Sequence, residues 1–137
     1  MANAIYPKYK QSLEAADANS ALTGTGATGL YVALLTAAYT YSAADQFYSS
    51  LSGVVGTDQE ITAVTLVGGL IDGNDVTFTA VAGGSTIAAL GFYRKNAGAN
   101  TTWRLVAYEN TGVTGLPLVT NGSDVVINWN VGGIIQL

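Results

Sequence analysis

Apolar and polar positions alternate along this chain in short stretches. In Val76, Phe78 and Ala80 the apolar side chains alternate with Thr77 and Thr79, and Val125, Ile127 and Trp129 alternate with Val126 and Asn128. A period of two puts one face of each stretch against a core and predicts half-buried β-strands. Trp103, Leu105 and Ala107, set against Arg104 and Glu109, follow the same rule with Trp103 pointing inward. Two stretches lack alternation: Leu30 to Leu35 is a continuous apolar run, and Ile87 to Tyr93 is apolar on both faces. Such runs suit strands covered on both sides, or a strand with one face in an interface.

Further strands are expected at Tyr39 to Tyr41, Glu60 to Val67, Asp75 to Val81, Thr86 to Arg94, Thr102 to Glu109 and Ser123 to Trp129, with a last apolar patch at Ile134 to Leu137. Gly68-Gly69, Asp72-Gly73-Asn74, Gly83-Gly84, Asn96 to Asn100 and Asn121-Gly122 separate them, each rich in residues that tolerate positive φ or cap a turn. Ser42 as an N-cap with Asp45 three residues on predicts a short helix near residues 43–51 that ends by Gly53. No long amphipathic helix separates the strands and no fixed-period repeat recurs. The expected fold is therefore all-β and mainly antiparallel: a single β-sandwich or jelly-roll-like domain.

The N-terminal segment reads in two ways. Pro7 at a first turn, followed by Tyr9, Leu13 and Ala16, fits a short helix. The same few apolar anchors fit an extended arm that orders only against a partner, because they offset little of the entropy of fixing ten or so residues. From Ala18 to Gly29 the composition turns to Ala, Ser, Thr and Gly, as in a flexible connector. These signals divide the chain into an arm or helix with its linker over 1–28 and a β-domain over 29–137.

Composition narrows the function. Only 10% of the 137 residues are charged, against about 25% in an average soluble domain. Thr, Ser, Asn and Gly must cover the surface, which suits contact with neighbouring protein. A net charge of −4 without a basic patch disfavours nucleic acid. The longest apolar run falls far short of the roughly 20 residues that span a bilayer, so no membrane partner is expected. Lys8 and Lys10 follow Ile5 and Tyr6, the reverse of signal-peptide order. With no cysteine there is neither a disulfide framework nor a thiolate metal site.

Candidate chemistry is sparse. Gly24-Thr25-Gly26-Ala27-Thr28-Gly29 matches the dinucleotide fingerprint by letter, but polar linker precedes it and a strand follows, where a strand and a helix are needed. Asp72, Asn74 and Asp75 offer oxygens to calcium without EF-hand spacing and read as a hairpin turn. Asp58 and Glu60 share a strand face and read as a solvated edge rather than a glycosidase pair. Ser and Thr have no histidine base. No catalytic residue, cofactor or metal is expected, and the chain does not read as an enzyme. Asn100-Thr101-Thr102 and Asn121-Gly122-Ser123 match glycosylation acceptors and here mark exposed turns.

A resemblance sharpens this reading. The start MANAIYPKYKQSL, the segment YTYSAADQFYSSLSG at 39–53, the strand DVTFTAV at 75–81 and the ending TGLPLVTNGSDVVINWN at 114–130 together resemble a family of small virion proteins of tailed bacteriophages. The likeness spans nearly the whole chain apart from the Gly- and Thr-rich stretch at 23–29. It implies a capsid decoration or cement protein, made in the host cytoplasm and carried on the capsid exterior, that binds and stabilises the lattice of the major capsid protein. A homo-oligomer is expected, with a trimer at local threefold positions as the form that suits such a lattice. The contact residues expected are Tyr6, Tyr9 and Leu13 of the arm, with Ile87 and Tyr93 of the doubly apolar strand. Two alternatives are a tail, collar or fibre component, and a carbohydrate-binding adhesion module that uses an exposed ring such as Tyr93 or Trp103.

Overall fold

The computed structural model describes residues 3–137. Its strands are β1 (Ala4–Ile5), β2 (Leu30–Leu35), β3 (Val54–Glu60), β4 (Thr65–Val67), β5 (Leu70–Asp72), β6 (Val76–Phe78), β7 (Thr86–Ile87), β8 (Ala89–Arg94), β9 (Arg104–Glu109), β10 (Leu118–Val119), β11 (Val125–Ile127) and β12 (Ile135–Gln136). The α-helix among the described residues is α1 (Pro7–Glu14). The result is a mostly antiparallel β domain with one short helix.

The main sheet has the order β1-β9-β8-β2-β3. The two runs without alternation become neighbours at its centre, β2 and β8, in register from Leu30↔Arg94 to Leu35↔Ala89. Every residue of β8 is buried. Leu34, Leu90 and Phe92 are fully enclosed, and each such side chain contributes about 1.5–3 kcal/mol on burial. The doubly apolar stretch is thus a central strand. It breaks at Ala88, whose N–H still donates to the Leu35 carbonyl at the end of β2 at 2.8 Å, and beyond it β7 pairs with β10.

Smaller ladders complete the core: β6 with β11, β7 with β10, and β4-β5-β12. The expected alternation appears in β6 and β11, with Val76, Phe78, Val125 and Ile127 buried and Thr77 and Val126 outside, but it stops short of Ala80, which is exposed at a φ of 47°. Gly68 and Gly69 join β4 to β5 with φ of 60° and 80°, the backbone of a tight two-residue hairpin turn. The strand expected over Glu60 to Val67 splits there, because Ala63 takes a positive φ of 53°.

The helix expected near 43–51 does not form. Ser42 Oγ accepts from the Ala44 N–H at 3.2 Å, a turn rather than a cap, and only a single 3₁₀ turn follows at Tyr48–Ser50. The backbone is committed elsewhere: Leu105 N donates to Gln46 O at 3.0 Å and Tyr48 N to Trp103 O at 2.8 Å. Pairing with the start of β9 outcompetes a helix this short, although Ala44, Phe47, Tyr48 and Leu51 are spaced as an apolar stripe. The strand expected at Tyr39 to Tyr41 is also irregular, and those rings pack against Tyr6 and Tyr108.

The N-terminal segment is built into the sheet. β1 pairs with β9, and α1 carries Pro7 in its first turn as expected. Tyr6 and Tyr9 are 0% and 1% exposed, within the same cluster as Phe78 and Phe92. The arm reading is thereby corrected: Tyr6 and Tyr9 are buried against this chain, while Leu13 and Ala16 stay exposed. Leu22 is buried too, and the supposed linker is tied down by Arg94, which donates from Nε to Ala21 O and from Nη1 to Asn19 Oδ1. These contacts cross the boundary expected at residue 28.

Candidate functional site

One face of the main sheet carries a row of aromatic rings. Tyr31 on β2 and Tyr93 on β8 are register partners, so their side chains project to the same side, with centroids 5.7 Å apart and planes 24° from parallel. Trp103, just ahead of β9, continues the row on the other side of Tyr93 at 5.6 Å and 6°. Tyr48, from the 3₁₀ turn, meets Tyr93 edge-on at 4.6 Å and Trp103 at 5.3 Å. Each such pair is worth about 0.5–1.5 kcal/mol beyond its buried area.

Lys95 stands two residues beyond Tyr93 on the same face. Its Nζ lies 4.9 Å from the Tyr31 centroid and 5.0 Å from that of Trp103, a cation held over two rings. Asp58 reaches this face from β3. Its Oδ2 accepts the Tyr93 hydroxyl at 2.8 Å, while its Oδ1 is shielded from water and has no hydrogen-bond partner. Burial pushes the Asp58 carboxyl up, opposed by the hydroxyls of Tyr93 and Tyr48 and by the Lys95 charge. Burial and the Asp58 charge raise the Tyr48 and Tyr93 hydroxyls, so both stay protonated at neutral pH. An open cavity of about 430 Å³ lies among Tyr31, Tyr48, Asp58, Lys95, Asn100 and Trp103.

Asp58 was expected on a solvated edge and instead anchors this cluster. The other acidic candidates are spent on local structure. Asp72 Oδ1 accepts the Gly73 N–H, Asp75 Oδ1 the Trp129 N–H, and Asp124 Oδ1 the Ala80 N–H. Glu60 Oε1 accepts the Gly26 N–H at 2.7 Å, so the Gly24–Gly29 loop meets a carboxylate of its own chain. Glu109 lines a separate cleft of about 220 Å³ beside β1 and β12, where burial pushes its carboxyl up to about 7. Among the described residues no three acidic side chains gather as metal ligands would.

Of the five contact residues expected from the sequence, Tyr6, Tyr9, Ile87 and Tyr93 are in the core, and Leu13 at 38% exposure is the one a partner can reach. Leu13 lies on an apolar groove of about 190 Å³ with Leu22, Leu66, Ile71 and Leu137. Leu66 and Val67, 45% and 74% exposed, belong to β4, an edge strand of its sheet. Glu60 to Val67 was expected to be a single strand, so an exposed edge at this point had no sequence signal. Of the two rings named for sugar contact, Tyr93 is enclosed, whereas Trp103 is half-buried on the cavity wall.

No family model, curated protein or solved structure matches this chain.

Proposed function

We propose that this chain is a bacteriophage virion structural protein, a capsid decoration or cement protein that binds the major capsid lattice as a homo-oligomer. The ordered resemblance of its segments to small virion proteins of tailed phages supports this reading. The observation that carries it in the fold is β4, an open edge strand with Leu66 and Val67 exposed beside the apolar groove at Leu13 and Leu137. An unpaired strand edge next to exposed apolar side chains is what stable monomers avoid and what an assembling subunit can use. In this proposal the small ladders fold over the main sheet as a β-sandwich of the jelly-roll kind, and a trimer at local threefold positions presents β4 to the capsid.

Incubating the purified chain with phage particles that lack it, followed by electron microscopy, tests the proposal. Density repeated over the whole capsid exterior is the expected result, lost when Leu66→Lys and Val67→Lys are combined in a chain that still folds. Density confined to the tail, the collar or a single vertex supports the tail or fibre reading instead, and no binding to particles overturns a virion role.

A further inference from the structure

We propose that the cavity bounded by Tyr31, Tyr48 and Trp103 is a saccharide-binding site that takes one pyranose ring against Trp103, with Asp58 as hydroxyl acceptor and Lys95 and Asn100 as donors. This does not depend on where in a particle the chain resides. The volume of about 430 Å³ lies within the roughly 300–1,000 Å³ of small-molecule sites. The chemistry of its walls selects the ligand class. An organic cation meets Lys95, which already holds the cation positions over Tyr31 and Trp103. An anion meets Asp58, which among the described residues has no cation within ion-pair distance.

A neutral polyol satisfies both groups, because each hydroxyl donates and accepts. Its weakly positive C–H face suits the negative face of an indole or phenol ring. A bound pyranose replaces the Lys95 ammonium over Trp103. Lys95 and the Asn100 amide then donate to ring hydroxyls, and another hydroxyl donates to the Asp58 carboxylate where it lines the cavity. Tyr93 stays behind the site, fixing the carboxylate through its 2.8 Å hydrogen bond and backing Trp103 in parallel.

Titrating the isotope-labelled chain with glucose, galactose, N-acetylglucosamine, N-acetylgalactosamine and their short β-linked oligomers, followed by amide and indole N–H shifts, tests the site. Saturable shifts at Trp103, Tyr31, Asp58 and Lys95 with at least one sugar are expected. Asp58→Asn, which keeps the shape, should weaken that binding by about tenfold or more, and Trp103→Ala should abolish it. Leu66→Lys, on the remote groove, should leave it unchanged. Dispersed spectra confirm that each variant is folded. No shift at these residues with any sugar, binding unaffected by Asp58→Asn, or the same shifts produced by tetramethylammonium and not by sugars would overturn the proposal.

Discussion

The Tyr93 hydroxyl donates to Asp58 Oδ2 at 2.8 Å, tying the centre of the main sheet to its β3 edge. The tyrosine is buried, Asp58 Oδ1 has no hydrogen-bond partner, and the Tyr48 hydroxyl is the other hydroxyl that supports the charge. Breaking the link strands a shielded charge.

Tyr93→Phe is therefore expected to cost about 1–3 kcal/mol at neutral pH, the penalty for leaving a buried acceptor unpaired. The loss should shrink as pH falls, because the variant removes a group that favours ionised Asp58 and so raises that carboxyl further. Urea unfolding at neutral and acidic pH measures both effects. Equal losses at the two pH values would show that the hydroxyl acts through packing alone.

The N-terminal segment gives a second prediction. Tyr9 is 1% exposed and its hydroxyl donates to Ser20 O at 2.8 Å, and the Tyr6 hydroxyl pairs with that of Tyr39 at 2.7 Å. Removing residues 2–17 takes both rings and β1 away, so the chain should lose cooperative unfolding rather than survive as a β-domain without its arm. Tyr9→Ala should cost about 3–5 kcal/mol, as for large aromatic-to-alanine truncations. A truncated chain with an intact melting transition would restore the arm reading.

Where local pattern and final burial coincide, the sequence was readable. Val76, Phe78, Val125 and Ile127 alternate in the chain and face the core, and the apolar runs through Leu34 and Leu90 lie at the sheet centre. Legibility failed where a long-range partner decided the outcome. Residues 43–51 carry a helix start signal, yet Gln46 and Tyr48 pair with Leu105 and Trp103, far along the chain. The aromatic site was hidden for the same reason: Tyr31, Asp58, Tyr93 and Trp103 come from four segments that only the β3-β2-β8-β9 order brings together. Strand β3 itself was masked by Gly56, at φ of 74°, which interrupts any alternation in Val54 to Glu60.

The hairpin at the exposed edge should be sensitive to its turn. Gly69 has φ of 80°, and an added Cβ would sit 3.0 Å from Gln136 Nε2 and 3.4 Å from Leu137 O. Gly69→Ala should destabilise by about 1–2 kcal/mol, the cost of a left-handed residue with a Cβ. Amide exchange should rise first in β4 and β5. Unchanged exchange there would mean that the β4 edge does not depend on this turn.

Glu109 supplies the pH dependence. Its carboxyl lies in the cleft beside β1 and β12 with neither a cation nor a donor within bonding distance among the described residues, and burial raises it from 4.5 to about 7. Below pH 4.5 both folded and unfolded chains carry the proton, so Glu109 costs nothing. Between 4.5 and about 7 the folded chain binds more protons than the unfolded one, and stability falls as pH rises. Above that window the full penalty applies, at most about 3 kcal/mol before the screening by water that the partly exposed carboxyl receives. Glu109→Gln removes the ionisation while keeping the size, so it should raise the melting temperature at pH 8 and leave it nearly unchanged at pH 4, a difference between curves that scanning calorimetry resolves. A variant equally stabilised at both pH values would place the effect in packing rather than charge. A Glu109 titration midpoint near 4.5 by carboxyl-carbon NMR would show that water reaches the cleft.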